Sequence, residues 1–251
     1  MTRRDAHLPL GAVLIAGPTA SGKSAAALRL AESLDGVVVD ADSMQIYDGL
    51  RILTARPSRE EEARVPHRLY GHVDPGRAYS VADWLADVAG VLAEIRGAGR
   101  LAIFVGGTGL YFEALTKGLA AVPEIPGEIR AHWRAEAERI GAGGLHAELV
   151  RRDPEMAARL GPTDTQRLTR ALEVIEATGR SLAVWQAAPN SDPLVVAGEA
   201  VRLVIEPERA VLHQRIAARF RAMVGQGAVE EAATFVARGL GPEMPAMRAI
   251  G

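Results

Sequence analysis

Gly17-Pro18-Thr19-Ala20-Ser21-Gly22-Lys23-Ser24 has the spacing G-x-x-x-x-G-K-S and lies between an apolar run and a helix-like run. Few other stretches constrain a fold as tightly. Ala12 to Ala16 read as a short buried strand and Ala25 to Leu34 as the following helix, so backbone N–H groups at the helix start are expected to point at a bound anion. Lys23 is then expected to reach the distal phosphate, with the Ser24 hydroxyl on Mg²⁺. Of the 29 Lys plus Arg, only Lys23 and Lys117 are lysines. A compact ammonium kept at this loop, in a chain that otherwise uses arginine, agrees with that role. The alternative is a Gly-rich turn that merely caps a helix.

Val37 to Val39, Leu101 to Val105 and Val201 to Ile205 are further short apolar runs. Each is followed by polar or glycine residues and then a helical pattern, the signature of a parallel sheet with ligands at the carboxyl ends of its strands. Tyr79 to Arg96 reads as a helix, with Ser80 as N-cap and Asp83 three residues on. From about Pro123 to Pro193 strand-like runs vanish, and helices are expected at Glu128–Ile140, Leu145–Arg151, Pro154–Leu160 and Asp164–Thr178. Breakers at Gly141 to Gly144, Asp153-Pro154, Gly161-Pro162 and Gly179 separate them. Arg209–Val224 and Ala228–Arg238 are further expected helices. The fold class is therefore α/β: a P-loop NTPase-like parallel sheet flanked by helices, with an all-helical insertion domain. Residues 1–120 and 195–251 form the core domain in this reading, and 121–194 the insertion.

Composition narrows the function classes. No stretch approaches the roughly 20 apolar residues of a membrane span, and Met1 to Pro9 has no apolar segment after its arginines, so neither a membrane anchor nor a secretory signal is expected. With no cysteine, disulfides, thiol nucleophiles and thiolate metal sites are excluded, in keeping with a cytoplasmic protein. The formal charge of -2 and pI near 6.3 argue mildly against a nucleic-acid binder.

A P-loop by itself says phosphate binding and no more. The Leu101–Val105 run ends in Gly106-Gly107-Thr108-Gly109 and not in the Asp that a hydrolase uses to hold the Mg²⁺ shell, which weakens the ATPase reading. Glycines there allow close approach of a substrate, and Thr108 can donate to a phosphate; a tight strand-to-helix turn is the plain alternative. Asp40 and Asp42 share one face of an extended chain, so one or both are expected at the cradle. There a carboxylate can bind Mg²⁺ or act as general base, although helix caps or solvated loop acids would look the same in sequence.

Six segments taken together resemble the tRNA dimethylallyltransferase family. They are the P-loop, Asp42-Ser43-Met44-Gln45-Ile46-Tyr47, Pro66-His67-Arg68-Leu69, Val105-Gly106-Gly107-Thr108-Gly109-Leu110-Tyr111, Gln166-Arg167-Leu168-Thr169-Arg170-Ala171-Leu172-Glu173-Val174, and Arg215-Ile216 with Arg219-Phe220. The match runs in one unbroken order from about residue 11 to the end. The resemblance implies transfer of a dimethylallyl group from dimethylallyl diphosphate to N6 of adenosine 37, in tRNAs reading codons that begin with U. It implies Asp42, Arg219 and Thr19 as catalytic residues. The diphosphate falls to Gly17, Pro18, Thr19, Ala20, Ser21, Gly22, Lys23 and Ser24, with Mg²⁺ as cofactor on Ser24. The tRNA falls to Asp42, Ser43, Met44, Gln45, Gly107, Thr108, Thr165, Gln166, Arg167, Leu168 and Thr169. The expected partners are the anticodon stem-loop and the diphosphate, and the chain is expected to act as a monomer.

Bland readings stand beside these. Arg219 lies on a helix whose Leu212, Ile216 and Phe220 have helical spacing, where an arginine is ordinarily a solvated residue. Thr163 and Gln166 have the spacing of a capping box, and His67 and His72 read as ordinary hydrogen-bonding histidines. Arg130, Arg134, Arg139, Arg151, Arg152, Arg159, Arg167 and Arg170 can form a basic surface, but the interleaved Glu128, Glu136, Glu138, Glu148 and Asp153 fit a mixed solvated bundle equally. Thr54-Ala55-Arg56-Pro57 replaces the family's Gly-Thr-Ala-Lys-Pro, so a lysine role there falls to Arg56. The family continues for several tens of residues past Met247-Arg248-Ala249-Ile250-Gly251, so a short form or fragment lacking a basic region is expected. Three alternatives remain open: a P-loop small-molecule kinase using ATP, an adenylate isopentenyltransferase, and a silent tRNA-binding module.

Overall fold

The apolar strands Ala12–Ala16, Gly36–Asp40 and Leu101–Gly106 are buried on both faces and demand cover from both sides. The chain supplies it with helices between the strands, whereas the strand Ala200–Val204 is largely exposed. The structure, a computed structural model, describes residues 11–187, 191–242 and 244–249. The N-terminal segment Met1 to Pro9 and the terminal Ile250-Gly251 lie outside the described residues. The chain divides into two compact units, Met1–Lys117 with Pro193–Gly251, and Gly118–Asp192.

In the first unit β1 (Ala12–Ala16), α1 (Lys23–Leu34), β2 (Gly36–Asp40), α2 (Arg59–Arg64), β3 (His67–Arg68), α3 (Val81–Gly97), β4 (Leu101–Gly106) and α4 (Gly109–Lys117) follow one another. In the second unit come α5 (Gly127–Arg152), α6 (Pro154–Ala157), α7 (Thr165–Thr178) and α8 (Leu182–Ala187). The chain then returns to the first unit with β5 (Ala200–Val204), α9 (Arg209–Gly225) and α10 (Ala228–Val236). The described strands form one sheet in the order β3-β2-β4-β1-β5, parallel throughout, with Ile15 beside Val105 and Asp40 beside Val105 on the other flank of β4.

Period-two alternation sends neighbouring side chains to two different cores. Leu14, Val37, Val39 and Phe104 pack with Trp84, Val88 and Leu92 of α3. Val13, Ile15, Val38 and Ile103 pack with Ala27, Leu28 and Ala31 of α1. Ser80 caps α3 in a full capping box with Asp83, as the sequence predicts. The β3 edge and the α2 turn, capped by Ser58, were not expected; two residues of strand are too few to leave a period.

The helical unit has its own core of Trp133, Leu145, Leu149, Leu168, Ala171 and Leu172. Full burial of each large side chain contributes about 1.5–3 kcal/mol. Its first two expected helices run together as α5, broken only at Gly141 with φ 64° and ψ -179°, a backbone geometry glycine tolerates. The expected capping box at Thr163 and Gln166 is corrected: Asp164 is the N-cap of α7, its carboxylate accepting from the Arg167 N–H at 3.2 Å. Asp placed directly before the first helical residue outcompetes a threonine one position earlier. Helix α8, held by buried Leu182 and Ala183, is too short to show a helical period in sequence.

Candidate active site

Helix α1 begins differently from α2, α3 and α7. Its N-cap is Gly22, at φ 96° and ψ 9°, and no side chain caps it. The first-turn N–H groups therefore lack the usual carboxylate or hydroxyl partner, which leaves them and the positive end of the helix dipole to an anion. The preceding loop bends tightly, with Ala20 at φ 59°. A methyl group at position 17 would lie 2.7 Å from the Ile205 carbonyl and 2.8 Å from the Ser21 hydroxyl, so only glycine fits. The buried Ser21 Oγ has no hydrogen-bond partner among the described residues. Lys23 Nζ donates to the Pro18 carbonyl at 3.2 Å, folded over the loop. Burial lowers its pKa, and the Asp42 charge works against that shift.

The carboxyl end of β2 treats its two aspartates oppositely. Asp40 is fully buried; its Oδ1 accepts from the Asp42 N–H at 2.9 Å, while Oδ2 has no hydrogen-bond partner among the described residues. Burial, reinforced by the Asp42 charge, pushes its carboxyl well above the usual range. The expectation that one or both aspartates face the cradle thus resolves to Asp42, which lines the cavity. The residues on either side of Asp42 are fixed by three bonds. Trp84 Nε1 donates to the Asp40 carbonyl at 3.0 Å, the Thr108 N–H donates to the Ala41 carbonyl, and the Ser43 N–H donates to Thr108 Oγ1 at 2.9 Å. The Gly106–Thr108 turn is therefore structural as well as open. Gly107 sits beside Asp42 Oδ2.

Helix α9 supplies the cations. Arg219 Nη2 donates to Thr19 Oγ1 at 2.5 Å and Arg215 Nη1 donates to the Ser21 carbonyl at 3.2 Å. Arg219 is consequently no solvated-face residue: desolvation lowers its pKa, and Asp42 opposes that shift. Thr19, Lys23, Ser24, Asp42 and Arg219 line one cavity of about 620 Å³, a size suited to a small ligand. The lining brings three cations, Lys23, Arg215 and Arg219, together with two carboxylates, Asp42 and Glu61, so the cavity can hold an anionic group on its cations and accept a proton on a carboxylate. Leu53, Thr54 and Ala55 form another wall. Gln45 Nε2 ties that wall by donating to the Thr54 and Ala55 carbonyls at 2.7 and 3.1 Å, a contact no local pattern encodes. Arg56 is buried, its Nη1 3.4 Å from the Tyr47 carbonyl.

Met44 and Gln45 line the same cavity. Thr165, Gln166, Arg167, Leu168 and Thr169 lie in the first turn of α7 in the helical unit. Leu168 is fully buried in that unit's core and offers its side chain to packing, whereas Thr165, Gln166 and Arg167 are exposed. Of the arginines expected on a basic surface, Arg139, Arg151, Arg152, Arg159, Arg167 and Arg170 are ion-paired within the unit. His67 and His72 hydrogen-bond the Val65 and Leu69 carbonyls, as ordinary histidines do. Among the described residues no group of three or more His, Cys, Asp or Glu could hold a metal ion. No described helix is long and apolar enough to cross a membrane.

An uncapped glycine-rich loop between a buried parallel strand and its helix defines a P-loop protein. Two family models match the chain, one described as IPP transferase over residues 45–251 and one described as Isopentenyl transferase over residues 10–74. A tRNA dimethylallyltransferase of Agrobacterium fabrum is 56% identical over 241 residues, 96% of this chain and 80% of the relative. That of Azorhizobium caulinodans is 58% identical over 246 residues, 98% and 77% respectively. A tRNA isopentenylpyrophosphate transferase of Bacillus halodurans superposes with TM-score 0.61 at 35% identity, covering 94% of this chain and 73% of that one. A eukaryotic dimethylallyltransferase acting on tRNA gives 0.74 at 25%, covering 92% and 58%. The chain belongs to the IPP transferase family.

Proposed function

We propose that the chain transfers a dimethylallyl group from dimethylallyl diphosphate to N6 of adenosine 37 in tRNAs reading codons that begin with U. The observation that carries this reading is the convergence of Lys23, the Thr19–Arg219 pair and Asp42 on one cavity at an uncapped P-loop. The names of the relatives supply the donor class and the acceptor.

The allylic C–O bond breaks and the diphosphate leaves with its electron pair. The loop amides, Lys23 and Arg219 stabilise the charge that grows on it. Adenine N6 forms the new C–N bond and surrenders a proton to Asp42. Thr19 orients Arg219 by accepting its hydrogen bond. Mg²⁺ is usually held by one or two protein oxygens together with substrate phosphates, and the cavity lining offers the Ser24 hydroxyl for that purpose. Ser24 would hold it, and it would add charge neutralisation at the leaving group. In this reading Ser43, Met44, Gln45, Gly107 and Thr108 meet the acceptor loop, joined by Thr165, Gln166, Arg167 and Thr169 of the helical unit. A flipped loop base costs only a few kcal/mol to unstack. In this reading the protein acts in the cytoplasm as a monomer.

Incubation with unmodified tRNA and labelled dimethylallyl diphosphate, followed by digestion to nucleosides, tests the reading. Label is expected in N6-dimethylallyladenosine. Asp42→Ala is expected to lower turnover by about 10²–10⁴ and Arg219→Ala by about 10²–10³, with tRNA binding kept. Unchanged transfer in either variant removes that residue's role. Thermal stabilisation by ATP with Mg²⁺ and none by dimethylallyl diphosphate would point to a kinase instead.

A further inference from the structure

The α9–α10 hairpin touches the cavity from two directions. Helix α9 reaches the P-loop through Arg215 and Arg219. Helix α10 reaches the opposite wall through Glu231, whose carboxylate accepts from the Ile52 N–H at 2.9 and 3.0 Å and from the Leu53 N–H at 2.8 Å. These bonds span 179 and 178 residues of sequence. The Arg238 guanidinium, just past α10, also packs on Gly49: a methyl group there would lie 3.1 Å from its carbon. Phe235 of α10 and Leu50 share the main core.

The anchored segment leads directly to chemistry. Leu53, Thr54 and Ala55 line the cavity, and the Thr54 and Ala55 carbonyls hold the Gln45 side-chain amide. The Gln45 N–H in turn donates to the Asp42 carbonyl at 3.1 Å. A relay of hydrogen bonds thus runs from Glu231 through the 52–55 wall and Gln45 to Asp42. A carboxylate accepting backbone N–H bonds is among the stronger hydrogen-bonding groups, and it neutralises donors that would otherwise lack partners at this turn.

We infer that Glu231 is a positioning residue for the acceptor side of the cavity. It tethers the 52–55 wall to α10 and thereby fixes Gln45 and Asp42, while the diphosphate end, built on the P-loop and α9, does not depend on it. This rests on the proposed transfer reaction for its kinetic consequence and on geometry alone for its structural one.

The test compares Glu231→Ala and Glu231→Gln with the unaltered chain. In Glu231→Ala, kcat/KM for tRNA is expected to fall about tenfold or more, the order of one lost charge-assisted hydrogen bond, while affinity for inorganic pyrophosphate stays within about twofold. Glu231→Gln, which keeps one acceptor oxygen, is expected to fall between, and serves if the alanine variant does not fold. Combined with Gln45→Ala, the losses are expected to be less than additive, because both act through one relay. Amide exchange at Ile52 and Leu53 is expected to speed up while the global unfolding temperature holds; this readout stands even if the chain transfers no dimethylallyl group. Unchanged exchange at these amides, strict additivity with Gln45→Ala, or a loss confined to pyrophosphate affinity would overturn the inference.

Discussion

Replacing Gly106 with alanine isolates the contact that sets Asp42. Gly106 ends β4 where it passes the backbone of Ala41, and a methyl group there would lie 2.0 Å from the Ala41 oxygen, 2.1 Å from its carbonyl carbon and 2.8 Å from its Cα. Since ordinary contact begins at 3.4 Å, the two strand ends must part by more than an ångström. Backbone cannot swing aside as a flexible side chain can. Ala41 is held on both sides, its N–H donating to the Val105 carbonyl and its carbonyl accepting from the Thr108 N–H, so the strain passes to the next residue, Asp42. Overpacking of this kind costs about 1–3 kcal/mol, sometimes more, and a base displaced by about 1 Å can lose about 10²-fold in rate. Urea unfolding gives the first quantity and the labelled-transfer assay the second. Gly107→Ala is the stability control: its methyl group would meet Asp42 Oδ2 at 3.4 Å, and its unfolding midpoint is expected to stay near that of the unaltered chain. A Gly106→Ala protein with unchanged midpoint and unchanged transfer would refute the argument.

Asp40→Asn keeps an acceptor for the Asp42 N–H and removes a buried acid. A carboxyl whose folded pKa is raised contributes stability that is fully present below its ordinary value, 3.8, and lost as pH rises through the folded value. The variant is therefore expected to gain on the unaltered chain as pH rises above about 4; parallel stability curves across that range would contradict the burial argument. Thr19→Val deprives Arg219 of its acceptor and is expected to lower kcat more than it raises KM for the diphosphate in steady-state assays. Arg130 and Arg134 are exposed and have no ion-pair partner among the described residues, unlike Arg139 and Arg159. Their alanine variants are expected to reduce the salt slope of tRNA binding by about one unit each, and an equal reduction from Arg159→Ala would show that pairing does not matter.

Locally encoded features were legible in the sequence because each rests on neighbours along the chain. The Gly17–Ser24 loop, the four longer strands, the Ser80–Asp83 box and the Gly179 helix stop, at φ 65°, all have this character. The break at Gly141 falls within the Gly141 to Gly144 stretch read as a gap between two helices; glycine marks a bend without saying whether hydrogen bonding resumes beyond it. Thr163 was misassigned for the converse reason: a cap motif does not tell which of two neighbouring side chains the fold turns onto the helix end.

The order of residues alone determined that a phosphate cradle would sit between a buried strand and a helix and that Asp40, Asp42 or both would serve it; Arg219 entered only through the family resemblance, since its helical spacing by itself reads as a solvated face. Only tertiary structure decided which aspartate turns outward, since Asp40 and Asp42 are equivalent by period and differ only in what packs on β2. It also decided that Arg219 meets Thr19 across 200 residues and that the unpatterned 52–55 segment forms a wall. Such contacts join distant parts of the chain through single side chains, and they leave no period, cap or turn signal behind them.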